Sequence, residues 1–197
     1  TRYTAKTVVL PVKKYPEVTE DIVFENGDKR VVIGAKSGLI ESYVVHGKEY
    51  AEGRLFVPKM YDDTPDPWGM NEPFVGHNPA ELTLLEKPDG VFEGMKSVQI
   101  IEDGEIYLGV EAFFGTGLTR VRLGYKIYKD GSAVDIEANV FPNEASKAIK
   151  LTLAVGGGTY VGEQVFGKEE LFSDGRECIA QNFVALKKDS GEYLEVV

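Results

Sequence analysis

Along most of its length the chain alternates apolar and polar residues in steps of two, and Gly, Asp and Asn break the alternation at short intervals. Successive side chains of a pleated strand point to opposite faces, so this period fits half-buried β-structure rather than helix. The clearest stretch is residues 118–141. Val121, Leu123, Tyr125 and Ile127 share one face of a strand, and Arg120, Arg122 and Lys126 share the other. Lys129-Asp130-Gly131 then reads as a tight hairpin turn, because Gly supplies the positive φ that such turns need. The return strand is expected to put Val134, Ile136, Ala138 and Val140 on the core face. Asp135, Glu137 and Asn139 then meet the Arg and Lys side chains of the partner strand.

The pattern recurs. Residues 22–25 and 30–33 flank Asn26-Gly27-Asp28. Residues 39–45 end at His46-Gly47. Residues 91–101 and 105–114 flank Asp103-Gly104, and residues 147–155 and 178–186 complete the set. Turn signals every ~8–12 residues are the spacing of a β-sandwich or barrel. No 3.6-residue period is sustained. The best helical candidate, residues 144–150, is short and β-branched at Ile149. The expectation is therefore an all-β fold, a large antiparallel β-sandwich with little or no helix, formed by residues 1–197 as a single domain. A chain of 197 residues is long enough to bury such a core without staples.

Two regions break the rhythm. Residues 58–79 carry Pro58, Pro65, Pro67, Pro73 and Pro79 together with Tyr61, Trp68, Phe74 and His77. Proline removes a ladder donor, which excludes a central strand here, and a long loop in a compact domain is usually functional or disordered. Its aromatic content argues for order. Gly156-Gly157-Gly158 reads as a strand connection, since the helix and Lys of a phosphate-binding loop are missing.

The chemistry that the sequence admits is narrow. A net charge of −10 argues against nucleic acid and anionic membrane as partners, because phosphate binding needs clustered Lys and Arg. No apolar run approaches the ~20 residues of a membrane span. Cys178 is the single cysteine, which rules out an internal disulfide, and it is expected to be a small core residue. The two histidines, His46 and His77, lack ligand spacing, so no metal is expected in this chain and His77 is assigned a structural or hydrogen-bonding role. No serine lies in a G-x-S-x-G elbow. Glycoside hydrolysis needs two opposed carboxylates, and the acidic residues of the anomalous loop, Asp62, Asp63 and Asp66, are the best placed. They flank Trp68, the sole tryptophan. With Tyr61 and His77 they make a candidate carbohydrate site, in which an aromatic face stacks on a pyranose and carboxylates accept its hydroxyls. In the alternative, Trp68 plugs the end of the sandwich and the aspartates cap turns.

Four segments carry a resemblance. Gly124-Tyr125-Lys126-Ile127-Tyr128-Lys129-Asp130-Gly131, followed by Val134-Asp135-Ile136-Glu137-Ala138-Asn139-Val140 and Asn143-Glu144, is similar to a strand pair (Y-R-L-Y-x-G-S, then I-D-x-E-x-x-V-x-W-x-E) in the C-terminal half of glycoside hydrolase family 38 α-mannosidases. Gly162-Glu163-Gln164-Val165-Phe166-Gly167 resembles that family's E-x-Q-F-G segment. Ala180-Gln181-Asn182-Phe183-Val184-Ala185-Leu186 resembles its A-x-x-W-V-x-L strand, with Phe183 in place of Trp. Ser37-Gly38-Leu39-Ile40-Glu41-Ser42 resembles its first hairpin. The four occur in the family's order, across residues 20–190.

The resemblance implies a galactose-mutarotase-like supersandwich and a missing partner. In that family the zinc and the nucleophilic Asp belong to an N-terminal α/β barrel with an H-x-D motif, which neither His46 nor His77 matches. No catalytic residue carries over, and zinc is expected only in the absent catalytic domain. The expected function is thus a non-catalytic β domain, a fragment of a longer α-mannosidase-like glycosidase. It lines or supports the site for a mannose-type carbohydrate, with the barrel of the same parent chain as partner. The acidic loop of residues 62–71 lies where the family has an acidic, Trp-containing segment, near the sugar or the barrel interface. The alternatives are a free-standing carbohydrate-binding module and a mutarotase-like epimerase, in which His77 would act with a carboxylate such as Glu163. The absence of a basic start with an apolar stretch favours a cytoplasmic location. The first residue, Thr1, fits a processed chain or a piece of a longer one.

Overall fold

A computed structural model of the chain describes residues 15–63 and 79–197. Within these, the strands are β1 (Ile22–Asn26), β2 (Lys29–Ile33), β3 (Ile40–Val45), β4 (Lys48–Glu49), β5 (Val57–Asp62), β6 (Ala80–Glu81), β7 (Thr83–Leu84) and β8 (Val98–Asp103). They continue with β9 (Tyr107–Thr116), β10 (Thr119–Tyr128), β11 (Val134–Phe141), β12 (Lys147–Thr152), β13 (Thr159–Gln164), β14 (Gly167–Glu170), β15 (Val184–Lys187) and β16 (Tyr193–Val196). Helix is confined to one 3-10 turn, Gly90–Phe92. The protein is all-β, and every strand pair is antiparallel.

The strands form four sheets. β1 to β4 make a meander. β11, β10, β9 and β7 make the second sheet, with β8 also on β9. β12, β5 and β6 make the third, and β14, β13, β15 and β16 the fourth. The expected turns at Gly27 and Gly131 both have positive φ. The expected face of β10 is fully internal: Val121, Leu123 and Ile127 have no exposed surface and Tyr125 is 1% exposed. They join Val31 and Ile33 of β2, Val110 and Phe114 of β9, and Val57 and Met60 of β5 in one apolar core, so the inner faces of the first three sheets share a sandwich interior.

Polar side chains pin the first sheet to the β10–β11 hairpin. The Tyr125 hydroxyl donates to the Gly38 carbonyl at 2.8 Å. The buried Lys29 ammonium donates to the carbonyls of Tyr128 and Ala133 and lies over the Phe24 ring. The Tyr43 hydroxyl donates to the Ser132 carbonyl at 2.5 Å. Such bonds are directional where apolar contact is not, so they fix how one sheet sits on the other.

The outer face of the second sheet is polar and tied across strands. Arg122 of β10 pairs with Glu111 at 2.7 Å and Glu137 at 3.1 Å, and it donates to Asn139. Gln99 of β8 donates to Glu111 at 2.9 Å. The hairpin thus aligns Glu137 and Asn139 with an arginine of its partner, as the alternation predicts. Asp135 instead accepts from the Tyr128 hydroxyl at 2.6 Å.

Three strand expectations are corrected. The core face of β11 is covered only at Val134 and Ile136, whereas Ala138 and Val140 are exposed. β11 is an edge strand, and no described layer lies over its far half. Residues 91–95 are not strand: the 3-10 turn drives Phe92 against Phe113, with centroids 4.7 Å apart, and closes a small aromatic cluster on the outer face. Residues 178–183 lie outside any strand, and Cys178 is a half-buried loop residue near the Phe172 and Arg176 carbonyls, not a core residue. The Asp174-Gly175 turn and two irregular bonds, from the Gln181 N–H to the Glu163 carbonyl and from the Glu163 N–H to the Phe183 carbonyl, hold this segment beside β13 without a regular ladder.

Candidate functional site

Asp66, Trp68 and His77 of the expected carbohydrate site lie outside the described residues. Tyr61, Asp62 and Asp63 sit together at the end of β5. β5 pairs with β12 in a register that places Tyr61 opposite Ala148 and Asp62 opposite Lys147. Asp62 and Lys147 form a cross-strand ion pair, and the Asp63 N–H donates to the Ser146 carbonyl at 2.9 Å. Residues 142–146 turn tightly here, with Ser146 at φ 54°. Glu144 accepts from the Thr119 hydroxyl and the Asn143 amide donates to the Leu118 carbonyl, so the turn is moored to the β9–β10 hairpin. The Asp62 carboxylate stays exposed while paired with Lys147.

The residues of the two C-terminal motif segments lie side by side. Glu163 accepts from the Asn182 amide at 2.7 Å, and the Gln164 amide donates to the Ile179 carbonyl. His46 occupies the β3–β4 turn, 3.2 Å from Asp28, with both side chains exposed. Among the described residues, no three His, Cys, Asp or Glu side chains converge to hold a metal ion.

The sequence gives no sign of one concavity between the sheets. A cavity of about 950 Å3 opens where the sheets meet. Tyr43 and Tyr50 of the first sheet, Phe56 before β5, and Leu151 and Leu153 around β12 wall one side, while Val134 and Ile136 of β11 and Leu194 and Val196 of β16 wall the other. These residues belong to four different sheets, and only their faces, not their mutual positions, can be read from period-two alternation. At its rim burial pushes the Tyr43 phenol above its ordinary pKa. The neighbouring Glu49 is opposed by burial too, but bonds from the Ser42 hydroxyl and the Ala51, Tyr43 and Tyr50 N–H groups hold it below the usual carboxylate range. Glu49 is thus a fixed anion that organises the β3–β4 turn, bonded at 2.8 Å to the Tyr43 N–H.

No helix among the described residues is long and apolar enough to cross a membrane. No protein-family model matches the chain, and no curated protein matches it either.

Proposed function

We propose that the chain is a non-catalytic β-sandwich domain of an α-mannosidase-type glycoside hydrolase, supporting the carbohydrate site of a catalytic barrel carried elsewhere in the parent protein. The observation that carries this reading is the apolar surface left open on the fourth sheet. Val165 and Phe166 in the β13–β14 turn, and Phe172 and Ile179 in the loop between β14 and β15, are all exposed, and Phe166 is exposed in full. Exposed apolar groups of this size can mark an interaction surface, and a second domain is the partner that the motif order implies. Two further features support it. Each of the four motif segments includes residues of the antiparallel strands, and the Glu163 segment bonds to the Asn182 segment. In this reading Tyr61, Asp62 and Asp63, at the end of β5, belong to the side of the domain that faces the mannose-type sugar. The reactive carboxylate and the zinc belong to the barrel.

The test is turnover of an aryl α-mannoside. The purified chain is expected to give none above background, and the same chain joined to a barrel segment with an H-x-D motif is expected to hydrolyse it. Measurable hydrolysis by the chain alone would refute the proposal.

A further inference from the structure

The way strands line the 950 Å3 cavity is specific. Neighbouring residues of a strand point to opposite faces, so a cavity beside one face touches every second residue. This cavity touches the unbroken runs 132–137 and 193–197. It borders β11 and β16 along those runs, and it reaches Tyr125 on the inner face of the hairpin and Arg122 on the outer. Among the described residues β11 pairs only with β10, and β16 only with β15. Each has one edge without a strand neighbour, and both edges border the same space.

We infer that this slot receives an extended segment of a partner polypeptide, which pairs with both edges and joins the second and fourth sheets. An unpaired edge presents a row of N–H and C=O groups, the template for β-strand addition. Of these runs, residues 134–137 belong to β11 and Tyr193–Val196 to β16, about 13 Å of strand on each side, so the insert pairs over about four residues.

The side chains state its chemistry. Val134, Ile136, Leu194 and Val196 present an apolar side, and Asp135, Glu137 and Glu195 an acidic one, where Glu137 is paired with Arg122 and Asp135 lies opposite Lys126 within the hairpin. An insert that satisfies both alternates apolar residues with Lys or Arg, since cross-strand pairs of opposite charge stabilise and like charges oppose. The same rule disfavours a second copy of this chain, because pairing β11 or β16 with itself would bring acidic residues together. The slot sets two strand edges beside side chains that alternate apolar and charged, an arrangement suited to an added strand. This inference is independent of the glycosidase assignment.

The full chain is titrated with a fluorescein-labelled peptide of alternating Lys and Val, seven residues long, and with a peptide of the same composition in blocks. Anisotropy is read in 150 mM salt so that nonspecific attraction to an acidic protein is screened. The alternating peptide is expected to bind at least ten-fold more tightly than the blocked one. Amide exchange is expected to slow in both β11 and β16. The double variant Asp135→Lys, Glu137→Lys, checked for an unchanged thermal melt, is expected to shift the preference at least ten-fold toward an alternating Glu and Val peptide. Equal binding of the two Lys and Val peptides would overturn the inference, as would protection of only one edge or a charge preference unmoved in a folded variant. So would slot protection by mannose oligosaccharide or by concentration-dependent self-association, with no response to the alternating peptide.

Discussion

In the β9–β10 pair, the alternating residues Val110, Ala112, Val121, Leu123 and Ile127 have no contact with solvent. In the β13–β16 sheet a similar spacing leaves only Ala185 and Leu186 as buried apolar side chains among the described residues, and Val165, Phe166, Tyr193 and Val196 are exposed. Both sheets are antiparallel and both are fully laddered. They differ in what lies across from them. The second sheet is faced by the meander, and three polar staples lock the two layers. The fourth sheet gives the common core Leu186, with Tyr160 and Leu194 packed partly against it, and is otherwise bare. A strand pattern specifies a face to be covered without specifying the cover, and here one sheet finds its cover within the described residues while the other has most of its apolar surface left over.

The largest test of this contrast is a pair of truncations. Leu123→Ala is expected to cost about 3 kcal/mol in urea unfolding, because the site is enclosed on all sides and cannot collapse. Phe166→Ala removes a larger side chain, yet is expected to change stability by less than about 0.5 kcal/mol, since that ring is already in water. Equal costs for the two would abolish the distinction between the sheets.

A smaller effect tests the staples. Tyr125→Phe removes the donor to Gly38 and leaves a buried carbonyl without it, at a cost of about 1–2 kcal/mol. It also alters the alkaline limb. Burial raises the Tyr125 phenol far above its ordinary pKa, so the folded state keeps a proton that the unfolded state releases near pH 10. The unfolded state then binds fewer protons, and stability falls as pH rises from about 10 upward. Tyr43, raised by burial first and by Tyr50 second, acts in the same direction. The variant is expected to show a shallower decline above pH 10 in pH-stepped thermal melts. An alkaline limb as steep as that of the parent would separate Tyr125 from the effect.

These differences also mark where sequence reasoning succeeds. The β10 strand, its hairpin turn and the match of Arg122 to Glu137 and Asn139 follow from two-residue periodicity and turn chemistry, because both partners are local. The same logic overextends at Ala138 and Val140. Their apolar character is a property of the residue, while their exposure depends on a layer that alternation along β11 does not describe. Residues 178–183 alternate as a strand should, but an Asp-Gly turn just before them and irregular bonds to Glu163 hold them as loop. Of the candidate carbohydrate site, the grouping of Tyr61, Asp62 and Asp63 is visible in the chain order alone. The pairing of Asp62 with Lys147 is not, since it depends on the register of two strands 85 residues apart. The cavity is the least legible feature, because four sheets contribute to it.

The smallest expected effect lies at the seam between the two regions. Lys48 of β4 reaches Glu192, just before β16, at 2.5 Å, and also donates to Ser190 at 2.6 Å. The Lys48 ammonium, then the Ser190 hydroxyl, hold the Glu192 carboxyl at about 2. A carboxylate depressed in this way adds stability above its ordinary pKa near 4.5, and that contribution is lost as pH falls toward 2. The pair is exposed, so its effect on global unfolding is small and weakens with salt. Its local effect is the informative one. Glu192→Gln is expected to speed amide exchange in β15 and β16 by about two-fold at neutral pH and leave β9 and β10 unchanged. Lowering the pH of the parent from 4.5 toward 2 should progressively remove the difference between the two proteins. Faster exchange in β9 and β10 as well would mean that the fourth sheet and the core open together, and the two regions would then be one cooperative unit.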